Sequence, residues 1–468
     1  MKKALYWLTA GLLATAAGGC NTFLDPAPVD RQPGDVFLNS PANVEAVLAS
    51  AYDALQSGDF YGGQIQRVGA LYGDDLDVAR VTGQFVEDFR TRNFGIFNGP
   101  GRSLWANGYK AIYRSNIVIK AVNDNTANAP AADNDRRKGE ALFLRGLAQF
   151  ELVRLFALPF TAGPDNPGIV LRLTPSTTEE ATVPTPRSTV GQVYAQVIDD
   201  LNQAVALLPA TSTPGRTNKL AARAILARVY FNQADYSNAF TQADAAIAAA
   251  TTAGITLGTA DSTGTVAPFR SVGAQQTPGT VFQIVNTASD DATNDLRSVF
   301  YSSYGPAQLT IDTLATGPLA LFENGDLRKR YLFSADPGDL TNRIPTSLKF
   351  QGGDPVNVPI IRLPELLLTR AESRVQRGSF AAPDVRADLN AVRTHAGLAP
   401  DNTTTDATTL LTKIRRERRL EFLFENDRYH ELRRLKSANI RGRSYNDPSA
   451  LLKIPASETS ANPAIVQN

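Results

Sequence analysis

The sequence predicts a mainly α-helical protein made of antiparallel helical hairpins, interrupted by an insertion of loops and short strands. Three observations predict it. Apolar residues recur at the three-and-four spacing of a helix face in long stretches such as 105–122 and 136–158. Two segments, 218–250 and 363–393, each read as a pair of helices around a short turn. Between them, residues 251–360 shift to Thr, Ser, Gly, Asp and Pro, with strand-like pieces at Thr280–Val285 and Val356–Leu363.

The chain opens with Lys2 and Lys3, an apolar run from Ala4 to Ala17, and then Ala17-Gly18-Gly19-Cys20. A basic start, a short apolar core and small residues at the cut predict a secretory signal over residues 1–19. The run is too short for the ~20 residues that span a bilayer. Cys20, the only cysteine, stands directly after the cut, and the segment resembles a bacterial lipobox, with Ala17 where the common pattern has Leu. The resemblance implies that Cys20 is acylated and becomes the mature N-terminus. Losing residues 1–19 removes two lysines and no acids, so the net charge changes from +1 to −1 and the lipid, not charge, must hold the protein on an anionic membrane.

Residues 20–39 carry Pro26, Pro28, Pro33 and Gly34 and read as an extended tether. An N-terminal helical region is expected over 40–250, opened by Ser40 as N-cap with Pro41 after it, and its first helix ends at Gly58. Residues 58–104 show no sustained period. Helices follow at Trp105–Val122 and from about Arg136 to Leu158, where Pro159 stops the chain. Proline-rich coil runs over 159–190, and Thr189 caps the next helix, which Pro209 ends. Asn218–Asn232 and Ser237–Ala250 form the clearest hairpin. Its Ala224, Tyr230, Tyr236 and Ala239 resemble the tetratricopeptide pattern, whose hairpins stack into a curved array. A C-terminal helical region is expected over 361–468.

The most charged stretch, Ile414 to Arg434, reads as one helix with Ile414, Leu420, Phe422, Phe424, Tyr429 and Leu432 on a broad apolar arc. Glu417, Glu421 and Glu425 form an acidic row within that arc, so their charges need partners. Arg418 and Arg428 flank them. Such a row is either a carboxylate pair for acid/base chemistry or a structural ion-pair lattice. Arginine neighbours keep both acids ionised, whereas an acid catalyst must hold its proton, so Glu417, Arg418, Glu421, Glu425 and Arg428 are expected to form a lattice. Its expected partners are Glu365, Glu372 and Arg393 of the hairpin at 363–393.

Composition excludes several classes. A net charge of +1 argues against a nucleic-acid partner. Two histidines, His395 and His430, leave little material for an imidazole metal site or a Ser-His-Asp triad. One cysteine excludes internal disulfides and paired-cysteine zinc sites. No catalytic residue, cofactor or bound metal is expected; the Asp74/Asp75/Asp77 and Asp290/Asp291/Asp295 groups could ligate calcium but read more simply as solvated turns or a helix start.

The ordered segments then bring a family to mind. They are WANGYKAIYRSNIVI, GEALFLRGLAQFELVRLF, VPTPRSTVGQVYAQVIDDLNQAVALLP, IIRLPELLLTRAE, LNAVRTHAGL, the Glu417–Arg428 segment, and the ending LLKIPASETSANPAIVQN. In this order they resemble the SusD/RagB family of outer-membrane nutrient-binding lipoproteins of Bacteroidota, over almost the whole mature chain. Two departures are Asn426 where the family often has Gly, and Pro364 before Glu365. The resemblance implies a SusD-like fold and a non-enzymatic, lipid-anchored, surface-exposed protein. It would capture an oligosaccharide, or in some members a peptide, and deliver it to a SusC-like TonB-dependent transporter.

Two other readings stay in competition: a glycoside hydrolase, which needs two acids across a cleft, and a tetratricopeptide-type scaffold with no small ligand. Sugars stack on aromatic rings and hydrogen-bond to Asn, Asp and Arg. By that chemistry and by loop position the expected ligand contacts are Tyr301, Tyr304, Phe94, Asp75, Arg90 and Asn98.

Overall fold

The computed structural model describes residues 37–77, 95–177, 180, 183–260, 264–293, 296–297, 310–314, 316–331, 333–336, 339–345, 349–350, 355–378 and 380–468. Within them the chain is mainly helical, in hairpins that pack in sequence order. Helix α1 (Pro41–Gln56) starts where Ser40 accepts a hydrogen bond from the Asn43 amide at 3.2 Å. It buries Val44, Leu48, Ala51 and Leu55 against α3 (Gly99–Asn123). Helix α4 (Ala131–Phe156) packs against both α3 and α5 (Val190–Leu207), and from Gly139 onward it is buried on every side. A capping box between Thr189 and Gln192 opens α5.

Helices α6 (Lys219–Gln233) and α7 (Tyr236–Thr252) form the small-residue hairpin. Asn218 and Asp235 cap them, and Ala234 turns the chain in a left-handed conformation at φ 61°. Ala239, Ala243, Ala246 and Ala250 are buried, which is how α7 closes on α6 and on α8 (Leu363–Gln376). Helix α9 (Ala382–His395) pairs with α8, and α10 (Ala407–Glu421) packs across both. Two short helices remain, α11 (Arg428–Arg434) and α12 (Ala456–Ala461).

Among the described residues the strands form three two-stranded antiparallel ribbons. These are β1 (Leu76–Asp77) with β3 (Thr310–Ile311), β2 (Thr280–Ile284) with β6 (Val358–Arg362), and β4 (Phe333–Asp336) with β5 (Asp339–Pro345). Strand β6 runs directly into α8, with Pro364 in the first helical turn, where its missing N–H costs nothing.

Two elements differ from the sequence reading. The single helix expected over Ile414 to Arg434 is broken. Helix α10 ends at Glu421, and a turn at 422–427 places Phe424 at φ 67° and Asn426 at φ 62° before α11 begins. The turn carries Phe422, Leu423 and Phe424 into the core. Asparagine tolerates the left-handed region better than most residues. The second difference is α2 (Gln64–Tyr72), inside the stretch where no period is visible. Its Ile65, Val68, Leu71 and Tyr72 recur at helical spacing and are buried, but Gln64, Gln66 and Gly69 are buried too, and nine residues are too few for the period to be sustained. Gly69 faces the Asn426 turn: a Cβ there would lie 1.9 Å from Asn426 Oδ1.

Candidate functional site

The acidic row converges on cations from the insertion and from β6. Glu417 accepts from Arg328 at 2.8 Å and from Arg393 at 2.9 Å. Glu421 accepts from Arg362 at 2.8 Å and lies 3.4 Å from Arg328. Glu425, although in the turn, accepts from both Arg362 and Lys349 at 2.7 Å. Arg362 is itself held between the rings of Phe269 and Phe422, 5.2 and 5.0 Å from their centroids. Burial alone would raise the Glu421 pKa, but Arg362, Arg328 and Lys349 outweigh it and bring it to about 2. Glu421 therefore holds no proton to donate near neutral pH, and the surroundings of this row do not suit an acid catalyst.

Arg418 forms a charge-assisted pair with Asp427 at 2.5 Å, and its guanidinium also lies 3.8 Å from Glu365. Arg228, from α6, donates twice to Glu365 at 2.7 Å. Glu372 takes Arg415 at 2.9 Å and Arg434 at 3.0 Å. Both carboxylates are buried, yet these arginines outweigh burial and hold them below their ordinary pKa. The expected partners Glu365, Glu372 and Arg393 thus sit within the network. Arg328, Lys349 and Arg362 carry as much of it and had no sequence signal, because each comes from a distant loop or strand, while Asp427 meets Arg418 only because the helix breaks between them.

The expected ligand contacts divide. Arg90, Phe94, Tyr301 and Tyr304 lie outside the described residues, as does Cys20. Asp75 is 6% exposed, and Arg419 Nε donates to it at 2.7 Å. Burial outweighs Arg419 and Arg428 there and raises its pKa. Neighbouring Asp74 takes both Nε and Nη2 of Arg428, at 2.6 and 3.0 Å; these contacts and Arg419 outweigh burial and lower its pKa. Arginines occupy the place a calcium ion would need, so neither a metal role nor a ligand contact suits Asp75. Asn98 accepts from the Gly101 amide at 2.9 Å as the N-cap of α3, which accounts for its side-chain oxygen. Asp291 is likewise occupied, by Arg297 at 2.8 Å and by Thr293. Among the described residues no group of three or more His, Cys, Asp or Glu could hold a metal ion.

In the β1–β3 ribbon Asp77 faces Thr310 and Leu76 faces Ile311. Phe97, three residues after Phe94, is 82% exposed in a Gly- and Asn-rich loop. It was not among the expected contacts, although an aromatic ring between Gly95 and Pro100 was a readable signal.

Two concavities lie elsewhere. A buried polar cavity of about 30 Å³ sits among Tyr61, Glu151, Arg154, Arg228, Arg362 and Glu425, room for about two waters and not for a sugar ring. A more open cleft of about 240 Å³ is lined by Tyr52, Gln56, Arg216, Ile284 and Val285, below the ~300 Å³ of ordinary ligand pockets.

Residues 22–231 match a family model described as starch-binding and associating with the outer membrane, and residues 347–447 match the model of the SusD family. A SusD-like protein of Formosa agariphila is 28% identical over 250 residues, covering 52% of this chain and 46% of that one. A SusD-like protein of Bacteroides ovatus is 28% identical over 242 residues, 51% of this chain and 41% of that one. The chain thus spans about half the length of the curated relatives it matches. Among crystal structures, a candidate sugar-binding protein of Bacteroides vulgatus aligns over 92% of this chain and 98% of its own, with 27% identity and a TM-score of 0.79. A SusD superfamily protein of Bacteroides thetaiotaomicron aligns over 92% and 99%, with 23% identity and a TM-score of 0.79, and shows the shared fold. No helix among the described residues is long and apolar enough to cross a membrane.

Proposed function

The chain belongs to the SusD/RagB family, and from that premise we propose that it is a lipid-anchored, surface-exposed binding protein that captures an oligosaccharide and delivers it to a SusC-like TonB-dependent transporter. The observation that supports the ligand part is the match of residues 22–231 to a family model described as starch-binding, and Arg90, Phe94, Tyr301 and Tyr304 are proposed as contacts from their side-chain chemistry. Exposed Phe97 adds a ring three residues after Phe94. Aromatic faces stack on the C–H faces of sugars while arginine and hydroxyl groups meet their oxygens. This chemistry binds and releases, and asks no residue to move a proton. A peptide ligand remains the alternative within the same class.

Acylated Cys20 supplies the anchor, and the helical hairpins supply the scaffold that meets the transporter. Cys20→Ala protein is expected to leave the outer-membrane fraction; persistence there together with the transporter would remove the anchor from the account. Residues 21–468 are expected to bind at least one member of a panel of oligosaccharides and peptides. Firm transporter binding with no ligand bound would favour the scaffold reading.

A further inference from the structure

Two small cavities share a wall inside the scaffold. Arg154 and Asn232 line both the cavity of about 30 Å³ beside Tyr61 and a smaller one of about 10 Å³, whose polar lining Tyr194, His430, Arg433 and Arg434 complete. The smaller cavity sits where the end of α4 meets α5, α6 and α11, so it lies at the join of the N-terminal hairpins and the C-terminal region.

The two differ in the kind of polar atom around them. Among the residues of the larger cavity, Gln66 Oε1, Glu151 Oε2 and Asn426 Oδ1 are buried acceptors with no hydrogen-bond partner. Such a space suits water, which donates. Among the described residues no carboxylate lines the smaller cavity. Three of its side chains instead leave a buried nitrogen without a partner: Arg154 Nε, Arg433 Nε and His430 Nε2. Guanidinium nitrogens only donate, and a neutral imidazole can carry its one N–H on Nε2.

The charges run the same way. Arg433 is 2% exposed and gives both Nη groups to backbone carbonyls, Arg154 O at 2.5 Å and Ala157 O at 2.6 Å. Among the described residues it meets no carboxylate, and the carbonyls at the end of α4 offset only part of its charge. The acids nearby are committed elsewhere. Glu151 takes Arg154, Glu372 is shared by Arg434 and Arg415, and Glu431 takes Arg428 at 3.0 Å. Burial and the fields of Arg154, Arg433 and Arg228 hold the His430 pKa well below its ordinary value, so this histidine adds a donor and no charge. A buried cation without a counter-charge is costly, and so is a buried donor without an acceptor.

We propose that the smaller cavity binds one small monovalent anion of the halide class, chloride foremost, which accepts from Arg154, Arg433 and His430 and supplies the counter-charge that Arg433 lacks. A volume of about 10 Å³ admits a single-atom ion and not a tetrahedral oxyanion. A water at this spot accepts from two donors at most and brings two hydrogens of its own, whereas a halide accepts from all three. The bound ion ties the end of α4 to α11 and belongs to the scaffold, so the inference stands apart from the saccharide reading.

The test uses unaltered residues 21–468 at constant ionic strength, with sodium chloride or bromide replacing sodium gluconate, whose anion is too large for the cavity. In crystals grown with bromide, anomalous scattering at the bromine edge should place a peak within hydrogen-bond reach of Arg433 Nε and His430 Nε2. In solution the melting midpoint should rise saturably as chloride replaces gluconate, by about 1–3 °C, as for an ion that binds only the folded chain. His430→Phe keeps a ring of similar size without the donor, so the chloride-dependent rise should shrink whatever the midpoint of this variant in gluconate. Water instead of bromide in the cavity overturns the proposal, and so does a midpoint with no saturable response to chloride. A bromide peak without that response marks an adventitious ion only and overturns it as well, and a full response in His430→Phe contradicts the assigned site.

Discussion

Replacing Glu421 by alanine separates scaffold from site. Its carboxylate is 6% exposed and answers Arg362 at 2.8 Å and Arg328 at 3.4 Å. Truncation leaves Arg362 sharing Glu425 with Lys349, and Arg328 sharing Glu417 with Arg393. Breaking a buried pair by removing one partner costs about 3–5 kcal/mol. The pKa gives an independent figure: a fall from 4.5 to about 2 corresponds to about 3 kcal/mol of preference for the ionised form in the folded state. With an unfolding entropy of roughly 2 cal/mol/K per residue, a chain of this size loses about 3–5 °C in midpoint. Calorimetric melting of Glu421→Ala beside the parent protein measures this, and ligand affinity on the same samples at 20 °C should stay within about twofold, since the row lies in the scaffold. An unchanged midpoint with lost affinity would refute the reasoning and move the acidic row from scaffold to site.

Other outcomes follow from the same geometry. Stability should fall with acid in two stages. His430 is buried and, with Arg154, Arg433 and Arg228 near it, its pKa lies well below 6.5. Below pH 6.5 the unfolded chain therefore takes up a proton that the folded chain refuses, and stability drops as pH falls. Glu421, with its folded pKa depressed, contributes fully above about pH 4.5 and loses that contribution as pH falls toward 2. Melting from pH 7.5 to 3 should show both stages, and His430→Gln should flatten the first relative to its own value at pH 7.5. Gly69→Ala should cost about 1–3 kcal/mol through overlap with Asn426, and combining it with Asn426→Gly should recover the part due to Oδ1 and Cγ but not that due to the Asn426 Cα, 2.9 Å from the added Cβ, in a double-mutant cycle. Phe97→Ala should leave the midpoint unchanged, because the ring is 82% exposed, and weaken oligosaccharide binding by roughly 1 kcal/mol in titration calorimetry.

Much of the scaffold was legible because its signals are local. Ser40 and Thr189 cap helices where the sequence suggests. The small residues of 218–250 close a hairpin, and the acidic row is met by arginines. What escaped depends on distant partners or on backbone angles. The break after Glu421 needs left-handed residues at Phe424 and Asn426, neither of which is glycine. Helix α2 is only nine residues long, too short for its apolar period to stand out among the loops around it. Asp75 resembles a loop acid in sequence, and only the fold brings Arg419, 344 residues away, against it.

The central claim is that this chain binds a saccharide and leaves it intact. Titration calorimetry of residues 21–468 against oligosaccharides of defined length, followed by chromatography of the recovered sugar, tests it most directly. The account predicts saturable heat with at least one oligosaccharide and recovery of that sugar at its original length. Shortened products would contradict it, and so would the absence of saturable binding across both the oligosaccharide and the peptide panels.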